Sequence, residues 1–218
     1  MNRLLFCAYR EWALTVASAT RDLHPAWSCD LVRDPSELTK RVSENGLPDV
    51  IIAIGWSWII ERPVVDGCWT VGIHPSDLPN YAGGSPIQHQ ILDGVTEGKN
   101  TLFRITPTLD GGPILGKVPL RLDGHMSDIF DRLTQTSIIL IHDFLRAFPN
   151  IPQEPQGPAV PRRRLTPEQS RLSPSDFSRL SARQLYDIIR CREDPYPNAF
   201  IQDSTGLLLL KRADFDPL

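Results

Sequence analysis

Segment 72–94 holds the densest set of groups able to do chemistry: Gly72-Ile73-His74-Pro75-Ser76-Asp77-Leu78-Pro79-Asn80-Tyr81-Ala82-Gly83-Gly84-Ser85-Pro86-Ile87-Gln88-His89-Gln90-Ile91-Leu92-Asp93-Gly94. The run Thr70–Ile73 reads as a strand, which puts His74 at its carboxyl edge, where open α/β sheets bind ligands. Pro75 and Pro79 fix the following backbone, and Gly83-Gly84 allow a tight approach before a helix capped at Ser85. Asp110 lies in a turn-rich loop, Thr106 to Pro113, between two further strands. If that loop returns to the same edge, the carboxylate fixes the tautomer and orientation of the imidazole. The two then form a general acid–base pair suited to neutral pH. The plain alternatives are a structural histidine and an ordinary turn aspartate.

Other chemistries find less support. His89 and His74 lack a third ligand at metal-binding spacing, so no metal is expected. The cysteines Cys7, Cys29, Cys68 and Cys191 include no C-x-x-C pair, which excludes a zinc ribbon or thioredoxin-type motif. Free thiols in apolar runs suit a reducing compartment, so a cytoplasmic location is expected. With 23 basic and 26 acidic residues, net −3, the chain is not a strongly basic nucleic-acid binder. Its one basic run, Arg162-Arg163-Arg164, is either a solvated face or a contact to phosphate or a partner. The N-terminal apolar run reaches Arg10-Glu11 too soon for a signal peptide. No apolar stretch approaches the roughly 18 residues of a membrane span.

The elements that must position these residues alternate in type. Strands are expected at Leu4–Ala8, Val50–Ile54, Thr70–Ile73, Thr101–Ile105 and Ile114–Leu120. Helices are expected at Trp12–Leu23, from Ser36 as N-cap to Asn45-Gly46, and at Ser127–Phe148 with Ser127 as N-cap. Strand–helix alternation without hairpin signals predicts an α/β fold with a mainly parallel sheet flanked by helices. Proline is in excess, 20 of 218 residues. Seven prolines fall between Pro149 and Pro174, which reads as a stiff, extended connector. Beyond it a helix at Leu180–Cys191 and a hairpin of Ala199–Gln202 and Leu207–Lys211 form a short C-terminal helix-plus-hairpin appendage. It is too small to fold alone and is expected to pack back on the domain or on a second copy, giving a homodimer.

The motif H-P-S-D-L-P-N-Y-A-G-G-S-P-I-Q-H-Q-I-L-D-G at 74–94, followed by L-D-G-G-P-I-L at 109–115, resembles the 10-formyltetrahydrofolate-dependent formyltransferase superfamily. Ile54-Gly55-Trp56-Ser57-Trp58-Ile59-Ile60 stands where that family has a strand and folate loop. Arg190 with Asp194-Pro195-Tyr196-Pro197-Asn198-Ala199-Phe200 is similar to its C-terminal element. The resemblance runs from about residue 1 to 201. It implies a Rossmann-like fold, with 1–148 as the catalytic domain, 149–174 as connector and 175–218 as appendage. It also implies 10-formyltetrahydrofolate as co-substrate, with no metal. His74 and Asp110 carry over as catalytic residues. The family's catalytic asparagine does not: its position is Gly72. Losing one oxyanion donor typically costs about 10²–10³ in rate. Ser57, Ser76, Gln90 or a backbone N–H are the candidates to contact the developing oxyanion or the substrate. If none does so, the chain is a weakened or merely binding relative. The pterin is expected between the Gly55, Trp56, Trp58 and Ile59 loop and the Thr106–Leu109 loop.

Within the superfamily, the short chain and the Pro-Tyr-Pro-Asn-Ala-Phe ending look most like the sugar-nucleotide N-formyltransferases. The implied substrate is an amino sugar on a nucleoside diphosphate, used in surface polysaccharide synthesis, with Arg10 meeting the diphosphate. No nucleic-acid or membrane partner is expected. An amino-acid or peptide amine is the alternative acceptor.

Overall fold

In the computed structural model, residues 1–217 are described. Eight strands and seven α-helices follow in chain order: β1 (Asn2–Cys7), α1 (Glu11–Leu23), β2 (Trp27–Val32), α2 (Pro35–Asn45), β3 (Val50–Ala53), α3 (Arg62–Gly67), β4 (Trp69–His74), α4 (Pro86–Leu92), β5 (Glu97–Arg104), β6 (Ile114–Arg121), α5 (Met126–Ala147), α6 (Asp176–Arg179), α7 (Ala182–Arg190), β7 (Ala199–Gln202) and β8 (Leu207–Leu210). Six strands make one sheet in the order β2-β1-β3-β4-β5-β6, and β7 and β8 form a separate hairpin. β2, β1, β3 and β4 are mutually parallel. β5 runs antiparallel to both β4 and β6, so the sheet is mixed although mostly parallel. The expected α/β, Rossmann-like architecture is what forms. The β5–β6 hairpin has no tight-turn signal because nine residues join its strands.

The parallel strands are buried on both faces and therefore read as unbroken apolar runs. Successive side chains point to opposite sides. Leu4, Phe6, Ile52, Val71 and Ile73 pack with α1 and α5 residues such as Val16, Ile141 and Phe144. Leu5, Cys7, Ile51 and Ala53 pack with Leu38 of α2 and Val65 of α3. Gly72 and His74, alternating with Val71 and Ile73, point to the second face. Beside β4 the cover there is not a helix. Leu78 and Ala82 of the 75–85 loop and Ala159 of the connector lie over Phe103 and Ile114.

Three caps differ from expectation. Asp34, not Ser36, caps α2, accepting from the Ser36 and Glu37 N–H groups; its carboxylate reaches both, and Pro35 takes the first helical position. His125 precedes α5, and Asp128 returns a bond to its N–H. Ser85 makes no cap bond to α4; its Oγ accepts the Leu165 N–H of the connector instead, at 3.1 Å. β2 and α3 had no sequence signal strong enough to be expected.

The connector is extended yet attached. Glu154 pairs with Ile114, Arg162 with Gly83 and Arg171 with Phe200. The appendage is fixed by a buried cation: Arg190 binds Asp187 at 2.6 Å and the Leu122 and Gly124 carbonyls at 2.6 and 2.9 Å. On β8, Leu207, Leu208 and Leu209 are exposed.

Candidate active site

His74 ends β4 and is nearly buried, 7% exposed. Its Nε2 lies 2.9 Å from the Tyr81 carbonyl, and its Nδ1 lies 3.5 Å from Asp110 Oδ2. A carbonyl only accepts, so Nε2 carries a proton. Asp110 Oδ2 also accepts the Gly83 N–H at 2.7 Å. The loop from β5 to β6 thus brings the aspartate to the histidine. Tyr81, Ser85 and Asp110 all hold positive φ, at 56°, 54° and 48°, a conformation that non-glycine residues keep only where surroundings enforce it.

The connector supplies part of that enforcement. Gln156 Nε2 donates to the Asp110 and Gly112 carbonyls. The connector strand passes so close to Gly83 and Gly84 that a Cβ on either would meet Arg162 or Arg164 backbone within 2.5 Å. These glycines admit the connector, a reason that only the fold makes visible.

A cavity of about 1020 Å³ opens over the pair. Gly55, Trp56, Ser57, Trp58, Ile59, Thr106 and Leu109 line it, as does Arg10. Trp56 and Trp58 meet edge to face, ring centroids 4.9 Å apart, and the Trp56 Nε1–H is buried without an acceptor. Ser57 Oγ bonds the Tyr9 hydroxyl at 2.8 Å. Two expected site residues do not reach the cavity. Ser76 is buried and bonds the Asn80 carbonyl. Gln90 spends its amide on the Pro75 and Pro86 carbonyls. Both brace the 75–86 loop.

The place of the family's asparagine is filled. Gly72 pairs with Phe103 across the β4–β5 ladder. A Cβ at 72 would approach the Phe103 ring at 2.9 Å. An aromatic edge thus occupies the space the amide would need.

The connector and appendage add Arg164, Leu165 and Tyr196 to the lining, and α4 adds Gln88. Leu165 was not expected to line the site, and Arg164 was read only within a basic run, either solvated or touching phosphate or a partner. Arg10 lies near the rings of Tyr9 and Tyr196, 5.2 and 6.0 Å from their centroids. Among the described residues, neither Arg10 nor Arg164 forms an ion pair, whereas Arg162 holds Asp93 at 2.7 Å. No cluster suited to a metal occurs among the described residues. His89 bonds the Arg163 carbonyl. Cys7 and Cys191 are pushed up to about 12 by burial, so neither is a thiolate nucleophile.

The site sets the His74–Asp110 pair beneath a cleft lined by aromatic and cationic side chains. The model of the formyl transferase family matches residues 24–137, and the chain belongs to that family. A methionyl-tRNA formyltransferase of Thermosynechococcus vestitus is 30% identical over 149 residues, 66% of this chain and 44% of that protein. The chain spans less than half the length of the curated relatives it matches. A solved methionyl-tRNA formyltransferase from Clostridium thermocellum superposes with TM-score 0.88 at 28% identity, covering 99% of this chain and 94% of that one. The sugar N-formyltransferase of a Shewanella species gives TM-score 0.77 at 15% identity, over 100% and 99%. HypX from Aquifex aeolicus, solved with tetrahydrofolic acid, gives 0.78 at 19% identity, over 92% and 36%. A short chain therefore does not separate the sugar class from the tRNA class. Among the described residues no helix is long and apolar enough to cross a membrane.

Proposed function

We propose that this chain transfers the formyl group of 10-formyltetrahydrofolate to the primary amine of a phosphorylated acceptor, a nucleotide-linked amino sugar. The observation that carries the acceptor class is that two guanidinium groups without an ion-pair partner, Arg10 and Arg164, line the cavity. Charged hydrogen bonds of that kind recognise phosphate oxygens. Trp56, Trp58 and Leu109 offer the flat apolar surface a pterin needs, and the Trp56 Nε1–H awaits an acceptor.

In the reaction the amine nitrogen bonds the formyl carbon, the bond from that carbon to N10 breaks, and the amine proton ends on N10. Both His74 ring nitrogens face protein acceptors, while Asp110 Oδ1 makes no hydrogen bond. Asp110 Oδ1 is thus the atom that first meets the amine proton. His74 stands behind it, with Nδ1 3.5 Å from the other carboxylate oxygen. This reverses the direct role expected of His74. With Phe103 in place of an amide, backbone N–H groups and Trp56 remain to meet the oxyanion.

Methionyl-tRNA is the second reading, favoured by the names of the curated relatives. A side-by-side assay with 10-formyltetrahydrofolate, a panel of nucleotide-linked amino sugars and charged methionyl-tRNA decides between them. Turnover on the tRNA alone would sink the first reading. The homodimer is kept as a proposal on the exposed leucines of β8; a monomer in sedimentation equilibrium would end it.

A further inference from the structure

Adjoining the main cavity lies a second, small cavity of about 30 Å³, lined by Ser85, Gln88, Leu165, Thr166, Ser170, Cys191, Arg192, Tyr196 and Pro197. It shares Ser85, Gln88, Leu165, Tyr196 and Pro197 with the main cavity. Arg192 is 6% exposed. Its Nη1 donates to Ser170 Oγ at 2.9 Å, and its Nε has no partner. No carboxylate pairs with it among the described residues. Burial pulls this guanidinium below its ordinary range, yet an arginine keeps its charge in proteins. Gln88, 4% exposed, also has a buried Nε2 without an acceptor.

Two buried donors without acceptors, one of them charged, line a single cavity. A buried charge normally persists only when paired. The site therefore lacks an anionic acceptor. One water needs roughly 10–15 Å³ of such space, so about two oxygen atoms fit. A whole phosphate does not fit, but its oxygens do, with the rest of the group in the main cavity.

We propose that Arg192, positioned by its bond to Ser170, forms with Gln88 an oxyanion pocket that holds phosphate oxygens of the acceptor. This deepens the nucleotide-linked reading and rests on it. Arg10 and Arg164 then guide the phosphates at the mouth, while Arg192 fixes their depth and hence where the amine sits relative to Asp110.

The test uses the full chain, with a nucleoside diphosphate and inorganic phosphate as separate calorimetric probes, on wild type, Arg192→Met and Gln88→Leu. The diphosphate is expected to bind the wild type and to lose at least tenfold in affinity in Arg192→Met. Removing an unpaired buried charge should also leave Tm unchanged or raise it by a few degrees. Gln88→Leu should lose several-fold in affinity without a drop in Tm. A structural arginine behaves oppositely: Tm falls and diphosphate affinity stays, and that outcome overturns the proposal. Equal affinity in all three proteins, with transfer to nucleotide-linked amino sugars intact, removes the pocket but leaves the function standing. Wild type that binds no diphosphate and transfers only to methionyl-tRNA removes both. Inorganic phosphate binding as tightly as the diphosphate would assign the pocket to free phosphate and overturn the acceptor role.

Discussion

The lining of the cavity holds two kinds of chemistry, drawn from different parts of the chain. One is built on loops of the sheet domain and presents Trp56, Trp58, Ile59 and Leu109. The other draws Arg164, Leu165 and Tyr196 from the connector and appendage and Gln88 from α4, while Arg10, just ahead of α1, lies against Gly55 beside the tryptophans. Flat apolar surface suits a ring system. Guanidinium groups with no carboxylate partner suit anions. Under the proposed function, the first chemistry serves the folate and the second the acceptor. The connector is accordingly more than a spacer: it lines the cavity and holds the Asp110 loop through Gln156.

The pair beneath the cleft should give the largest effect when broken. Asp110→Asn keeps the shape but removes the proton acceptor, and should lower kcat by about 10²–10⁴-fold. The KM of both substrates should change little. Single-turnover transfer with the cavity lining intact checks this; a loss confined to KM would reassign Asp110 to binding.

Breaking only the cationic lining should separate the substrates. Arg10→Ala combined with Arg164→Ala removes two charged hydrogen-bond donors. At about 1.5–3 kcal/mol for a hydrogen bond to a charged group, softened by solvent at the mouth, the acceptor KM should rise some 10–100-fold. The donor KM should stay within about twofold. Initial rates at crossed substrate concentrations measure both; equal rises in both KM values would dissolve the distinction between the two chemistries.

The two kinds of lining also differ in how far the sequence revealed them. The tryptophan loop was legible as the turn after β-branched Val50–Ile54 and Gly55, and its expected folate role came from the family resemblance. His74 and Asp110 were legible through the proline- and glycine-bounded segments that hold them. Apart from Arg10, which was expected to meet a diphosphate, the connector side was not, because its residues act only through long-range packing. Arg164 sits in a proline-rich stretch that reads as linker, and nothing local tells that Gly83 and Gly84 exist to admit it. Gln88, Gln90 and Ser76 look alike as polar residues near a motif. Only their hydrogen bonds separate the two that brace the loop from the one left unpaired. Phe103 reads as an ordinary strand residue until its register opposite Gly72 is known.

That pairing can be tested directly. Gly72→Asn inserts a side chain against the Phe103 ring, and overpacking of this kind costs about 1–3 kcal/mol. Denaturant unfolding should show the loss without a gain in rate. Shortening the ring at the same time, Gly72→Asn with Phe103→Leu, should restore stability in part and raise kcat above that of the single variant. A faster Gly72→Asn single variant would mean the ring does not block the amide.

The smallest expected effect lies outside the lining, in the brace that holds the 75–85 loop. Asp77 meets Lys117 Nζ and Lys99 Nζ, the latter at 3.1 Å, and Lys117 also bonds the Leu78 carbonyl. Partial burial works against ionisation of Asp77, but the two lysines outweigh it and hold its carboxyl below the ordinary carboxylate range. A depressed folded-state pKa stabilises the fold above the unfolded value of about 3.9. That stability is lost as pH falls through the folded-state value. Asp77 is over a third exposed, so solvent screening limits its worth to that of a surface pair, up to about 1 kcal/mol. Asp77→Asn should therefore lower stability slightly at pH 7, and the gap to wild type should close below about pH 3. Because this loop carries the Tyr81 carbonyl and the Gly83 N–H that fix His74 and Asp110, kcat should drop several-fold while the contrast between donor and acceptor KM survives. Urea titrations at pH 7 and pH 3 with steady-state kinetics at pH 7 measure all three. A stability gap that stays constant with pH would show that the lysines do not sense the charge of Asp77.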